Sequence, residues 1–339
     1  MTKSHFGQTF LRLVDDEGRP ILTPETMSLR DVPHVALNIK FFGYEMARRL
    51  AAELPSAEVR LPGVLPLRSK AATQTDLMSG WAAWWCKELG VAVAFHRKIW
   101  EYAFVLQALR EANLLKAGVK GVGFGCGQEP LPSYFASLNV DVLVTDLAVE
   151  KSSGLGWINS AQHAGGAFAA FQSHLVDRET FVRRVTHRFV DMNDIPADLR
   201  GYDFCWSICA LEHLGSIAKG LDFIENALET VRPGGLSVHT TEFNCLNDAA
   251  TIDNWPTVLF QRRHFEEIAV RLTAKGHHVA PLDFDIGDMA LDKFVDIPPY
   301  LHDWTPELVA RWGADANHLK LSIDGFVSTC FGLIVRKAG

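Results

Sequence analysis

Gly123, Gly125 and Gly127 alternate at the end of the short apolar run Val119-Lys120-Gly121-Val122. Asp146 closes a second apolar run, Val142-Leu143-Val144-Thr145. Glycine allows a tight turn and a close approach of the backbone to a ligand, and an acid ending the next strand is placed to accept hydrogen bonds from a ribose diol. The pair reads as a site for a nucleoside cofactor. Its spacing is informative about which one. A dinucleotide fingerprint needs G-x-G-x-x-G, but the third position after Gly123 and Gly125 is Gln128, with Gly127 one place early. A Walker loop needs Gly-Lys-Ser/Thr, and none follows. The spacing that remains is G-x-G-x-G.

Three further segments follow in order: Arg188-Phe189-Val190-Asp191-Met192-Asn193, then Tyr202-Asp203-Phe204-Cys205-Trp206-Ser207-Ile208-Cys209-Ala210-Leu211-Glu212-His213-Leu214, then Leu228-Glu229-Thr230-Val231-Arg232-Pro233-Gly234-Gly235-Leu236. With the glycine loop and Asp146, this ordered set resembles the class I S-adenosylmethionine-dependent methyltransferases over about residues 119 to 243. The resemblance implies S-adenosylmethionine as cofactor, a ligand without phosphate, so that Gly123, Gly125 and Gly127 need only curve around its methionine and ribose. It implies that Asp146 holds the ribose, that Asp191 and the backbone at Met192 hold the adenine, and that Ser207 and Cys209 run past the methionine. One departure is that the family places an acid two residues before the first glycine, where this chain has Gly121.

These residues need a scaffold. Apolar runs at 119–123, 142–146, 203–208 and 236–241 lack two-fold alternation, as expected of strands covered on both faces, and helical stretches such as 217–231 separate them. Alternating strands and helices predict an α/β fold with a mainly parallel sheet, helices on both faces and ligands beyond the strands' C-terminal ends. The resemblance makes that sheet seven-stranded, its last strand, 326–336, antiparallel beside the fifth. Pro281 assigns the strand at 279–284 to an edge, where a missing donor does least harm. Residues 1–90 are expected to form a mostly helical cap over the acceptor, and 91–339 the cofactor-binding catalytic domain. Trp81, Trp84 and Trp85 would pack the cap onto the sheet, and Trp100 or Tyr102 would reach the cofactor's methionine end.

With 339 residues and 48% hydrophobic content, the chain can bury a large core. Its net charge of −7 argues against a nucleic-acid partner, and Arg183, Arg184 and Arg188 read as a solvated helix end and strand. No run approaches a membrane span and no signal-peptide core follows the N-terminus, which predicts a cytoplasmic protein. The cysteines, at 86, 126, 205, 209, 245 and 330, form no C-x-x-C pair, and His277, His278, Asp283, Asp285 and Asp288 have no ligand spacing, so no metal is expected.

Methyl transfer from a sulfonium is an in-line displacement. Positioning supplies much of its rate, and an acceptor that loses a proton also needs a base. The expected acid/base or orienting groups are His213 and Glu242, with His239 a satisfied core residue. The expected acceptor is the hydroxyl or amine of a small molecule such as a sugar or secondary metabolite. Two other classes stay open: an NAD(P)-dependent oxidoreductase, disfavoured by Gln128 and the lack of a Tyr-x-x-x-Lys pair, and a non-catalytic cofactor-binding scaffold.

Overall fold

The computed structural model describes residues 14–54, 59, 61–148, 166–298, 300, 305–307 and 317–339. Its strands are β1 (Ser69–Ala71), β2 (Lys120–Phe124), β3 (Asp141–Asp146), β4 (Val185–Phe189), β5 (Tyr202–Ile208), β6 (Val231–Asn244), β7 (His278–Val279), β8 (Leu282–Asp283), β9 (Leu321–Ile323) and β10 (Phe326–Arg336). The α-helices are α1 (Pro24–Glu53), α2 (Gln74–Leu77), α3 (Gly80–Leu89), α4 (Arg97–Glu111), α5 (Leu131–Ser137), α6 (Arg178–Arg184), α7 (Ile217–Thr230), α8 (Arg262–Ala274) and α9 (Ala290–Lys293).

The strands lie in the order β4-β3-β2-β5-β6-β10-β1-β8. Pairings from β4 through β6 are parallel, and β10 runs antiparallel along β6 from Ser328↔Asn244 to Arg336↔Leu236. The order reverses at β2, whose neighbours are β3 and β5, which opens a crevice beyond its C-terminal end. Helices cover both faces, as a near-continuous apolar strand requires. On one face Phe104, Phe135, Phe204 and Trp206 form the core under α4 and α5. On the other, Phe124, Leu221, Ile224, Leu228, Phe265 and Phe331 form it under α7 and α8. Helix α7 shows how sequence directs this: Ser216 caps its start by accepting from the Lys219 amide, and Ile217, Leu221, Ile224 and Leu228 recur at helical spacing on its buried side.

The sheet departs from the seven strands expected, with ten among the described residues. The lane beyond β10 is filled by three short pieces, β9, β1 and β7, each antiparallel to it. The single strand expected at 279–284 is broken at Pro281. Ala280 still donates to the Ile334 carbonyl (2.9 Å), but proline has no N–H for the next bond. Instead the Ser69 amide donates to the Pro281 carbonyl (3.1 Å), and β8 moves one lane out onto β1. Strand β1 comes from the region expected to cap the site, so the chain before residue 90 contributes to the main sheet.

Helix α1 docks through one buried ion pair. Lys40 Nζ lies 2.8 Å from Asp296 Oδ1, with both side chains 1% exposed. Asp296 also takes His318 Nδ1 (2.7 Å), and the His318 ring packs at 5.0 Å on that of His96, the N-cap of α4. A chain of polar contacts therefore runs from α1 to the start of α4. No helix among the described residues is long and apolar enough to cross a membrane.

Candidate cofactor and acceptor site

The glycine loop sits at the switch point. Gly125 and Gly127 follow β2 with φ of +62° and +51°, a region that L side chains rarely adopt. A β-carbon on Gly125 would stand 2.7 Å from that of Ala210 and 3.5 Å from Met192 Sδ, so the ends of β4 and β5 converge on this one residue. Gly123 behaves differently. It is a strand residue paired with Val144 and Trp206, and a β-carbon there would strike the Trp206 indole and Cys126 Sγ, so its smallness serves packing. The loop is strapped to β3 by Cys126 N–H donating to the Thr145 carbonyl (3.1 Å) and by the Thr145 hydroxyl donating to the Gly123 carbonyl (2.8 Å).

Asp146 ends β3 as expected. It is nearly buried, and its Oδ1 accepts from the Leu147 amide (2.9 Å). Asp191 and Met192 lie just past the end of β4, where Asp191 Oδ1 accepts from the Asn193 amide (2.9 Å). Asp146, Asp191, Met192, Gly125 and Gly127 therefore gather around one crevice. Ser207 does not face it: its hydroxyl pairs with His239 Nδ1 (2.8 Å), whose Nε2 meets the Ser237 hydroxyl (2.6 Å) beneath α7. Burial pushes the His239 pKa down to about 3, the satisfied core histidine that the sequence indicated.

Glu129 went unremarked in the sequence. It ends the glycine loop, is buried, and accepts from Trp206 Nε1 at 2.5 Å. Burial pushes its carboxyl up to about 8, so it is mostly protonated at neutral pH. Its place two residues after Gly127 was the available signal, but nothing local announces that a loop acid will be buried.

Beside the crevice, on the α4 side, lies a buried polar cluster. Arg97 pairs with Glu242, whose other oxygen accepts from the Ser328 hydroxyl (2.5 Å). The Glu101 carboxylate accepts from the Thr240 hydroxyl and from Cys209 Sγ (2.9 Å), and Lys98 Nζ lies 3.7 Å from its other oxygen. Burial alone would raise the Glu101 pKa, but Lys98 and Arg97 outweigh it and hold the group below its ordinary value. Cys209, at φ +44°, brings its sulfur within 3.5 Å of Cys330 Sγ, so its side chain points into this cluster rather than at the glycines. Donor atoms of Glu101, Cys209 and Cys330 lie within 4.8 Å of one another, and Arg97 Nη1 packs against both thiols. Burial pushes the Tyr102 phenol up against the opposing pull of Lys98, whereas Trp100 turns away, donating to Asp76 Oδ2 (2.8 Å) and stacking on Phe104.

His213 closes a short 3-10 turn, Leu211–His213, after β5. Its Nδ1 lies 3.0 Å from the Pro256 carbonyl and 3.1 Å from the Thr257 hydroxyl, and its Nε2 is 4.0 Å from Glu212. Glu242 is sealed against Arg97 in the cluster, and His213, partly exposed, borders it through Glu212, whose carboxylate lies near both.

The residues fit an adenosyl-sulfonium ligand better than a pyrophosphate. A side chain at Gly125 would fill the cradle, and the groups bordering it, Asp146 and Asp191, are acids, which repel phosphate and suit a cation. No protein-family model matches the chain, and no curated protein sequence matches it. Among solved structures it is similar to an S-adenosylmethionine-dependent methyltransferase from Mesorhizobium loti (14% identity, 68% of this chain and 96% of that one, TM-score 0.38). It is similar also to phosphoethanolamine N-methyltransferase 2 of Haemonchus contortus, solved with S-adenosyl-L-methionine (15% identity, 69% and 52%, TM-score 0.40). A third is the cyclase SpnF (16% identity, 70% and 82%, TM-score 0.40). Read from its own strand order, its antiparallel last long strand and the glycine loop at the switch point, the chain has the class I, Rossmann-like fold of the S-adenosylmethionine-dependent methyltransferases.

Proposed function

We propose that this protein transfers the methyl group of S-adenosylmethionine to a hydroxyl or amine of a small molecule. The observation that carries the reading is the convergence of Gly125, Gly127, Asp146 and Met192 on the crevice beyond β2. In this account Gly125 and Gly127 admit the methionine and ribose, Asp146 accepts from the ribose hydroxyls, and Asp191 with Met192 borders the adenine. When bound, the cofactor supplies an electrophilic methyl on a positively charged sulfur.

The α4 cluster supports an acceptor pocket next to that methyl. It sets Arg97 and Lys98 against Glu101, Glu212 and Glu242, one acidic group in excess, with Glu129 mostly neutral. A sulfonium beside it would balance that excess. Glu242 then acts as a positioning residue, holding the Arg97 guanidinium toward the acceptor, and His213, with Nδ1 engaged, offers Nε2 for the acceptor's proton. Residues 1–90 would shape the acceptor pocket while 91–339 hold the cofactor. The burial of Glu101, Thr240 and Glu242 favours a small acceptor over a polymer.

The test is transfer of labelled methyl from S-adenosylmethionine into pooled sugars, amines and phenols, with S-adenosylhomocysteine release read in parallel. Incorporation that falls in His213→Ala and Glu242→Gln, with cofactor affinity retained, supports these roles. Full activity in both variants contradicts the catalytic assignment, and absence of any transfer by a protein that binds the cofactor favours a scaffold.

A further inference from the structure

Helix α1 has two faces. Ala36, Lys40, Gly43 and Ala47 form the docked face, with Gly43 so close to the Phe294 ring that a β-carbon would stand 2.4 Å from it. A second stripe, Val32, Val35, Ile39, Phe42 and Met46, advances by alternating steps of three and four residues and is left 36% to 69% exposed. That alternation is the seam spacing by which one helix packs along another. The stripe is about 21 Å long and exposes apolar surface on the order of 500 Å², near the upper end of what a monomer leaves uncovered.

We infer that this stripe pairs with the same stripe of a second copy, the two α1 helices running antiparallel about a two-fold axis near Ile39. Two observations point to a second copy. The seam is self-complementary: about Ile39, Phe42 of each copy meets the smaller Val35 of the other, and Val32 meets Met46. Its charges are arranged for a two-fold: Asp31 and Arg49 lie on the same flank of the stripe at opposite ends. Antiparallel crossing keeps the two flanks together and sets Asp31 of each copy opposite Arg49 of the other, whereas parallel crossing would put the flanks on opposite sides of the seam and leave this pair unmade. Doubling the stripe gives an interface of about 1,000 Å², the size at which specific association begins.

The experiment is sedimentation equilibrium of the full chain over ~1 to 100 μM, the range in which an interface of this size would associate. Wild-type protein should dimerise, and Ile39→Glu with Phe42→Glu should be monomeric throughout while keeping the wild-type far-UV circular dichroism and melting temperature. Asp31→Arg and Arg49→Asp should each weaken the dimer by about fivefold, and combining them should restore it. A wild-type chain that stays monomeric overturns the inference, as does a dimer indifferent to the glutamates. A reversed charge pair that fails to restore association overturns the antiparallel register.

Discussion

Replacing Glu129 by glutamine should change how stability depends on pH and change little else. Glutamine keeps a carbonyl oxygen to accept from Trp206 Nε1, so the packing at the end of the glycine loop survives, but the proton equilibrium is gone. Burial moves the wild-type carboxyl from an ordinary 4.5 to about 8 in the folded chain. Between those values the native state holds a proton that the unfolded state has released, so stability falls as pH rises through the window and is flat on either side. The displacement corresponds to at most about 5 kcal/mol, which for a chain of this size is about 10 °C in melting temperature. Scanning calorimetry of both proteins from pH 4.5 to 9 reads the difference directly, since other titrating groups cancel between them. The variant should match the wild type near pH 4.5, pull ahead through pH 8 and keep a constant lead above it. Parallel curves would refute the claim that Glu129 is buried as a neutral acid.

Gly125→Ala should fold yet lose at least about tenfold in cofactor affinity by calorimetry, because its φ is positive and its β-carbon would meet Ala210. Lys40→Met should destabilise the chain by up to about 3 to 5 kcal/mol in urea unfolding by removing the cation beside buried Asp296, which keeps only the His318 ring and the Tyr44 hydroxyl, and adding Asp296→Asn should recover part of the loss. Burial of His239 as a neutral ring holds its pKa near 3, so stability should decline as pH drops from 6.5 toward 3, and His239→Gln should remove that part of the acid sensitivity.

The centre of the fold was legible because its signals are local. Strand-turn-helix at 119–131, the strand ending in Asp146 and the strand at 326–336 each announce themselves within a dozen residues, and all stand where expected. The sheet's far edge was not legible: β1, β7 and β9 are two or three residues each, paired by contacts remote in sequence, and only Pro281 hinted at a break. Likewise the acceptor-side cluster joins Arg97 to Glu242 and Cys330, groups that no spacing rule connects. Gly123 looked like part of the loop because alternation alone cannot tell a strand glycine that clears room for Trp206 from one that turns the chain. Helix α1 runs through Pro33, a residue that argues against a continuous helix; the capping box of Thr23 with Thr26 and the buried Lys40 pair outweigh it.

The most direct test of the central claim is calorimetric titration of the protein with S-adenosylhomocysteine, with NAD and NADP as controls and Asp146→Ala in parallel. The account predicts saturable binding of the adenosyl-sulfur ligand, weakened about tenfold or more in the variant, and no heat from the dinucleotides. Unchanged affinity in Asp146→Ala, or dinucleotide binding in place of S-adenosylhomocysteine, would contradict it.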